Sequence, residues 1–397
     1  MPPPVAVIGA GLLGLTSALL LAEDGHRVEV FDRHPRPWSG VSAINEGKVH
    51  LGPVYALGDE RTAAVMLRGA LAFAATIERA LARSVDWDAL AGDPFEYLVM
   101  PDGLVGPERL AAHYRRLDAL LGDLGPAGVR PRYLGRPLTS VIDPVPRVDP
   151  ATGLPAFRSH ERAVDVVLLG ALLVDAARAH PGIRMRQGAR VTGVDATSGR
   201  LVADASGDGG RHGPFAAIVN CAWEGRSRIA RAAGAPDGPV QNVRVKSMVR
   251  LRPVDGARTV TLVQGPFGDV VAHHTHTYAS WYPVGRIHQE TARHVSPTAL
   301  RAAVEAGASR ELAEGQVAAL QRLGLLSSSE EIVASGAGVI LGDGEHDIDD
   351  AGSGLHRRAR FGVDAHRRLL TPRNYKLTTA PLAARVVSDH VRELVHG

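Results

Sequence analysis

Three glycines and one carboxylate near the start of the chain carry its clearest chemistry. Gly9, Gly11 and Gly14 follow the apolar run Val5-Ala-Val-Ile8, and Asp32 stands eighteen positions after Gly14, at the end of the strand-like Val28-Glu-Val-Phe31. The first glycine permits a tight strand exit, the second presents bare backbone to a pyrophosphate, and the third lets helix and strand pack closely. The phosphates then sit on a helix N-terminus, whose free N–H groups and positive dipole end hold an anion without a lysine. Leu12 and Leu13 open that helix, Asp32 accepts from the ribose hydroxyls of an adenosine, and Arg33 follows it. A glycine-rich turn that only packs would need a separate reason for each glycine and for the acid. The fingerprint serves NAD and FAD alike.

Other side chains offer reactive groups. Glu46, Lys48 and His50 fall in one short segment. A histidine can take a proton from an amine or alcohol near neutral pH, or it can bond a loop carbonyl. Glu46 either meets a cationic substrate or faces water, and Tyr55 either lines a site or belongs to the core. Arg244 and Lys246, two apart in an alternating segment, share one face and suit an anion or solvent equally. Trp281 and Tyr282 are adjacent, so alternation sends them to opposite faces, one to a cavity and the other to the core. Within His356-Arg-Arg-Ala-Arg360, Arg358 is a candidate for a bidentate carboxylate pair, against a solvated loop. No metal site is expected. The histidines of His273-His-Thr-His276 read as a polar strand face, and the acidic stretch 342–350 lacks the closing glutamate of a calcium loop.

These residues need a scaffold. Residues 5–33 read as strand, helix and strand. Helical spacing follows at 59–86, with Asp59 and Glu60 in the first turn, and again at 106–124. After Pro- and Gly-rich turns around 125–156 come a helix at 164–180, strands near 183–187, 189–195 and 200–204, a buried strand at 215–220 and a short helix after Ala222. From about 239 the pattern alternates, at 242–252, 258–264 and 278–284, as in an antiparallel sheet, with helices at 297–306 and 309–323. The chain ends in a helix, 378–395. The expected class is α/β, α+β overall: a Rossmann-like nucleotide-binding unit of residues 1–60, 155–235 and 345–397, and a mainly antiparallel substrate unit of 61–154 and 236–344.

Composition narrows the partners. The chain has 397 residues, 45% of them hydrophobic, ample for a large core. Its formal charge of +3 is spread out with no interleaved aromatic platform, so nucleic acid is not an expected partner. No apolar run is long enough to span a membrane, and Met-Pro-Pro-Pro-Val lacks the charged region of a secretory signal. The single cysteine, Cys221, allows no internal disulfide, and the expected location is the cytosol. Nothing in the sequence specifies an oligomeric state.

The segment Asn45-Glu-Gly47-Lys-Val-His50-Leu-Gly-Pro-Val-Tyr55 resembles the stretch after the second strand in the glycine/D-amino-acid oxidase superfamily of flavoproteins. The helix entry at Asp165, the strand around Val191, the segment Val219-Asn-Cys221-Ala-Trp223, and Tyr375-Lys376-Leu377-Thr378-Thr379-Ala-Pro381 resemble further parts of that family. The chain departs from it at Arg373-Asn-Tyr375, where Gly-His-Gly is usual. The resemblance implies FAD, with Asn45, Gly47 and Lys48 passing along the flavin, Val191 at the adenine, and Cys221 and Trp223 beside the cofactor. It also implies that Lys376, Leu377, Thr378 and Thr379 form the terminal flavin-binding turn. An N-cap ahead of Pro381 would explain the same threonines. His50, flanking the ring, becomes the first candidate base. Some relatives link flavin through a histidine in this loop, but noncovalent FAD is the expectation.

The implied reaction is hydride transfer from the C–N bond of an amine or amino acid to flavin, with dioxygen as acceptor. Oxidation of a 2-hydroxy acid or alcohol is the alternative, and a flavin-binding subunit without catalysis is a third reading.

Overall fold

The computed structural model describes residues 2–124, 130–204, 210–253, 256–327 and 329–396. Residues 125–129, where the expected Pro- and Gly-rich turns begin, lie outside the described residues. The first strand, Val5–Ile8, is buried along its whole length between Val28–Phe31 and Ile218–Asn220, with Val7 opposite Val30 and Val219. Ile183–Arg186 and Leu369–Arg373 extend this parallel sheet, and Gly362–His366 adds one antiparallel edge, making six strands. A strand buried on both faces reads as an unbroken apolar run, as Val5–Ile8 does.

The helix Leu12–Glu23 is apolar all round because it is enclosed: the helices Glu60–Leu81, Val166–Ala179 and Ala380–His396 pack against it. Leu15, Leu20 and Leu21 have no exposure at all. On the other face, Ala6, Ile8 and Phe31 pack with Val191, Val194 and Leu201 of a three-stranded antiparallel sheet.

A second sheet of nine strands centres on Gln241–Leu251, flanked by Arg286–Ala292, Thr277–Trp281 and the long Ile332–Asp343. Its pairings are antiparallel except that of Val260–Val263 with Glu96–Val99. Pro155–Arg158 pairs with Glu96–Val99 in this same sheet, and Glu60–Leu81 packs on the helices of the first sheet. The boundaries drawn from sequence at 61 and 155 therefore do not follow the two sheets.

Several expected elements are shorter than their patterns. The helix expected over 59–86 is capped by the Asp59 side chain, which accepts from Thr62 N at 2.8 Å, and ends where Ala82 turns left-handed at φ 50°. The strand expected over 278–284 stops at Trp281, and the chain then makes one helical turn, Tyr282–Gly285. Ile332–Asp343, absent from the sequence reading, contains Ala-Ser-Gly-Ala-Gly, a composition that resembles a loop. Its pairing along the whole of Gln241–Leu251 overrides that composition.

The enclosed helix gives a stability test. Leu20→Ala should cost about 2–5 kcal/mol, measured as a lowered urea midpoint with an unchanged slope.

Candidate active site

A cavity of about 640 Å³ runs from the turn after the first strand, between the two sheets, to the second sheet. At one end stand Gly9, Gly11, Gly14, Asp32 and Val191, and at the other His50, Tyr55, Lys246 and Tyr282. The glycine end is built by close approach. Gly9 has φ +103°, and a Cβ there would lie 2.6 Å from Cys221 O, while one on Gly14 would lie 1.8 Å from Gly9 O. Leu12 N donates to Ser42 Oγ at 3.0 Å, and Asp32 accepts from Ala10 N at 2.6 Å and His34 N at 2.8 Å. Arg33 pairs with Glu224 at the rim, and Leu12, Leu13, Cys221 and Trp223 line the walls. Bare backbone, a helix start and a fixed carboxylate suit a pyrophosphate joined to adenosine, so the residues present fit a dinucleotide.

The reactive end is crowded with charge. Lys48, only 3% exposed, donates to Asp269 Oδ1 at 2.7 Å and to the Thr261 hydroxyl, and its ammonium lies 4.2 Å from the centre of the Phe95 ring. Burial alone would raise the Asp269 carboxyl, but Lys48, Lys246 and Thr261 outweigh it and hold it far below the usual range. Lys246 approaches the other oxygen of Asp269 at 3.8 Å. Arg244 is buried, bonded to the Tyr282 hydroxyl and 3.0 Å from Asp347 Oδ1. Burial pushes the Tyr282 phenol up to about 12, so it remains protonated.

His50 faces a carboxylate, not the loop carbonyl that sequence allowed. Its Nδ1 stands 3.4 Å from Glu161 Oε1, its ring meets Tyr55 edge-on at 5.5 Å, and neither ring nitrogen makes a full hydrogen bond. Burial and the Lys376 charge lower the His50 pKa, which keeps the imidazole neutral. Glu161 is fully buried and also accepts from Tyr97. Arg358 and Lys376 line the cavity with no carboxylate partner among the described residues. Arg358 instead donates to Leu341 O at 2.9 Å. Half-buried Lys376 has its pKa lowered to about 8, by burial first and by Arg358 next.

Most of the candidates from sequence meet here, including Asn45, Glu46 and Leu377. Four do not line the cavity. Trp281 stacks on Phe267 in the core beside the second sheet, because the helical turn that starts at Tyr282 sends only the latter inward. Gly47, at φ +80°, is a packing glycine: a Cβ there would lie 1.9 Å from Val164 O. The Thr378 hydroxyl accepts from His50 N at 2.7 Å, and Thr379 donates to Asn374. Both threonines thus brace the turn, while Lys376, Leu377 and Ala380 face the cavity. Glu161 and Asp269 escaped the sequence reading. Asp269 left one signal, a lone carboxylate in Gly268-Asp-Val-Val271.

A family model described as FAD dependent oxidoreductase, DAO, matches residues 4–389. The chain belongs to this family. Among solved structures, this DAO-family chain resembles glycine oxidase from Geobacillus kaustophilus, with TM-score 0.65, 17% identity and 99% and 95% of the two chains covered. L-Amino acid deaminase from Proteus myxofaciens gives TM-score 0.68, 14% identity and 99% and 90% coverage. Curated relatives include D-amino acid dehydrogenase 2 of Mesorhizobium japonicum, 40% identical over 65 residues, which is 16% of this chain and 16% of that protein. The match thus spans about a sixth of that relative's length. Among the described residues, no helix is long and apolar enough to cross a membrane, and no group of three or more His, Cys, Asp or Glu is placed to hold a metal.

The close packing at Gly14 can be tested. Gly14→Ala forces the helix away from Gly9 O, and the purified variant should carry at least tenfold less FAD, read from the ratio of absorbance at the flavin and protein bands.

Proposed function

We propose that this chain oxidises the C–N bond of an amine or amino acid, using noncovalently held FAD and dioxygen. The supporting observation is the pairing, in one cavity, of a neutral histidine backed by a buried carboxylate with two cations that have no carboxylate partner among the described residues. Arg358 and Lys376 hold the substrate carboxylate, and Glu46 draws the ammonium. His50 takes one ammonium proton, and Glu161 orients the ring and stabilises the imidazolium so formed. With the amine free, its lone pair can displace the Cα hydride, for which FAD held at the glycine turn would supply the acceptor. Loss of one proton and one hydride leaves an iminium, which water hydrolyses.

Noncovalent binding is supported at Cys221, whose thiol burial pushes up to about 12, leaving no thiolate to react. Acid precipitation should release the yellow colour to the supernatant; colour in the pellet would refute this. Dioxygen is supported by the likeness to glycine oxidase, and peroxide formation against dye reduction tests it. A neutral His50 backed by Glu161 would also remove a hydroxyl proton, so 2-hydroxy acid oxidation is the second reading. Anaerobic flavin bleaching with amines, amino acids and hydroxy acids separates them, and bleaching by none would defeat both.

Two pH limbs follow. His50 acts only when neutral, and its pKa is lowered, so kcat/KM should fall only as pH drops below about 6.5, the ordinary histidine value. His50→Asn should lose about 10²–10⁴-fold in kcat/KM while retaining FAD. Lys376 attracts a carboxylate only when protonated, so KM should rise as pH climbs through about 8. Lys376→Met should have a raised KM and lack that alkaline limb.

A further inference from the structure

The cavity holds more positive charge than a zwitterionic amino acid can match. Asp269 is the only ion-pair partner of both Lys48 and Lys246, at 2.7 and 3.8 Å, so one carboxylate serves two ammonium groups among the described residues. Among the described residues, Arg358, which is buried, has no carboxylate partner and leaves its Nε without a hydrogen bond, and Lys376 has no ion pair either. Against these stands Glu46; of the cavity-lining carboxylates only Glu46, at this end, and Asp32, at the distant glycine end, lie outside an ion pair among the described residues. A substrate bringing one carboxylate and one ammonium adds no net charge and leaves the excess in place. Buried charge without a partner is unfavourable, so the site is complementary to a net anion.

The cations are also divided by origin. Lys246 projects from the central strand of the second sheet, with its ammonium 5.2 Å from the centre of the Tyr282 ring. Arg358 and Lys376 come from the segments that flank the last two strands of the first sheet. Glu46 lines the same cavity and lies within electrostatic reach of both Lys246 and Lys376.

We infer that the substrate carries two carboxylates, one held by Arg358 and Lys376 and the other by Lys246, with its amine between them at Glu46. This rests on the amine-oxidation reading above. Lys246 is then a specificity residue.

Calorimetric titration of the FAD-loaded protein with unreactive acids tests it. Propionate serves as the monoanion, and malonate, succinate and glutarate as dianions of increasing span. The tightest dianion should bind at least tenfold more strongly than propionate. Lys246→Met should abolish that advantage and leave propionate within about twofold, Lys246→Arg should restore most of it, and Arg358→Met should weaken both classes. Equal binding of monoanion and dianions by the unaltered protein would overturn the inference, as would an undiminished dianion advantage in Lys246→Met. The unaltered protein decides the first point even where a variant fails to fold. Because these acids are not oxidised, the outcome is independent of the bleaching panel: bleaching by amines with equal acid binding defeats only the two-carboxylate inference, and no bleaching defeats only the reaction.

Discussion

The ammonium of Lys48 joins the parts of this molecule that have to meet. Its two-residue strand, Lys48–Val49, pairs with Arg162–Ala163, while its side chain crosses to Thr261 and Asp269 in the second sheet. Its carbonyl accepts from Thr378 at the turn before the last helix, and the same threonine receives the His50 amide. One short segment is thereby tied to the second sheet, to Glu161 and to the chain's C-terminal end. Such a junction depends on a buried ion pair, and a lysine sealed away from water without Asp269 would cost several kcal/mol. The aromatic faces of Phe95 and Tyr97 support the charge from below.

That arrangement sets the chemistry around it. Burial first, and then the Lys376 charge, lowers the His50 pKa and keeps the imidazole neutral, and on the proposed reaction the buried Glu161 behind it would stabilise the imidazolium once a proton arrives. Burial alone would raise the Glu161 carboxyl, yet the polar contact from the His50 ring, the Lys48 charge and the Tyr97 hydroxyl hold it below its usual value. On the proposed reaction, base and counter-charge would thus be held ready in a poorly solvated place, where electrostatic interactions are stronger than in water.

How far the sequence disclosed this depended on the kind of interaction. The nucleotide end was legible because it is local: Gly9, Gly11 and Gly14 meet their requirements within one strand, turn and helix, and Asp32 lies one strand further on. The helices Glu60–Leu81 and Val166–Ala179 were legible from local spacing for the same reason, although Asp59, expected within the first turn, proves to be the N-cap. Glu161 and Asp269 were not, since a buried carboxylate has no local signature and owes its role to partners 111 and 221 positions away. The strand Ile332–Asp343 was missed because glycine-rich composition carries little strand propensity, while its long partner decides the outcome. Thr378 and Thr379 were placed in the correct turn but on the wrong side of it, a distinction set by tertiary hydrogen bonds.

The two ends of the cavity therefore differ in what they demand of sequence. Where recognition runs through backbone, as at the glycine turn, side chains elsewhere are free to change as long as the strands and helix keep their spacing. That is consistent with full-length likeness to glycine oxidase at 17% identity. Where recognition runs through side chains, each charge must be balanced within the site, and replacing one residue changes the charge its neighbours require. The buried Arg244 already has Asp347 and the Tyr282 hydroxyl, so it adds nothing to the unmet charge. Among the described residues Arg358 and Lys376 have no such partner, and on the inference above their balance comes from what enters the cavity. On the inference drawn above, substrate choice in this family member is written in the difference between its cations and its carboxylates, while the fold is written in its backbone.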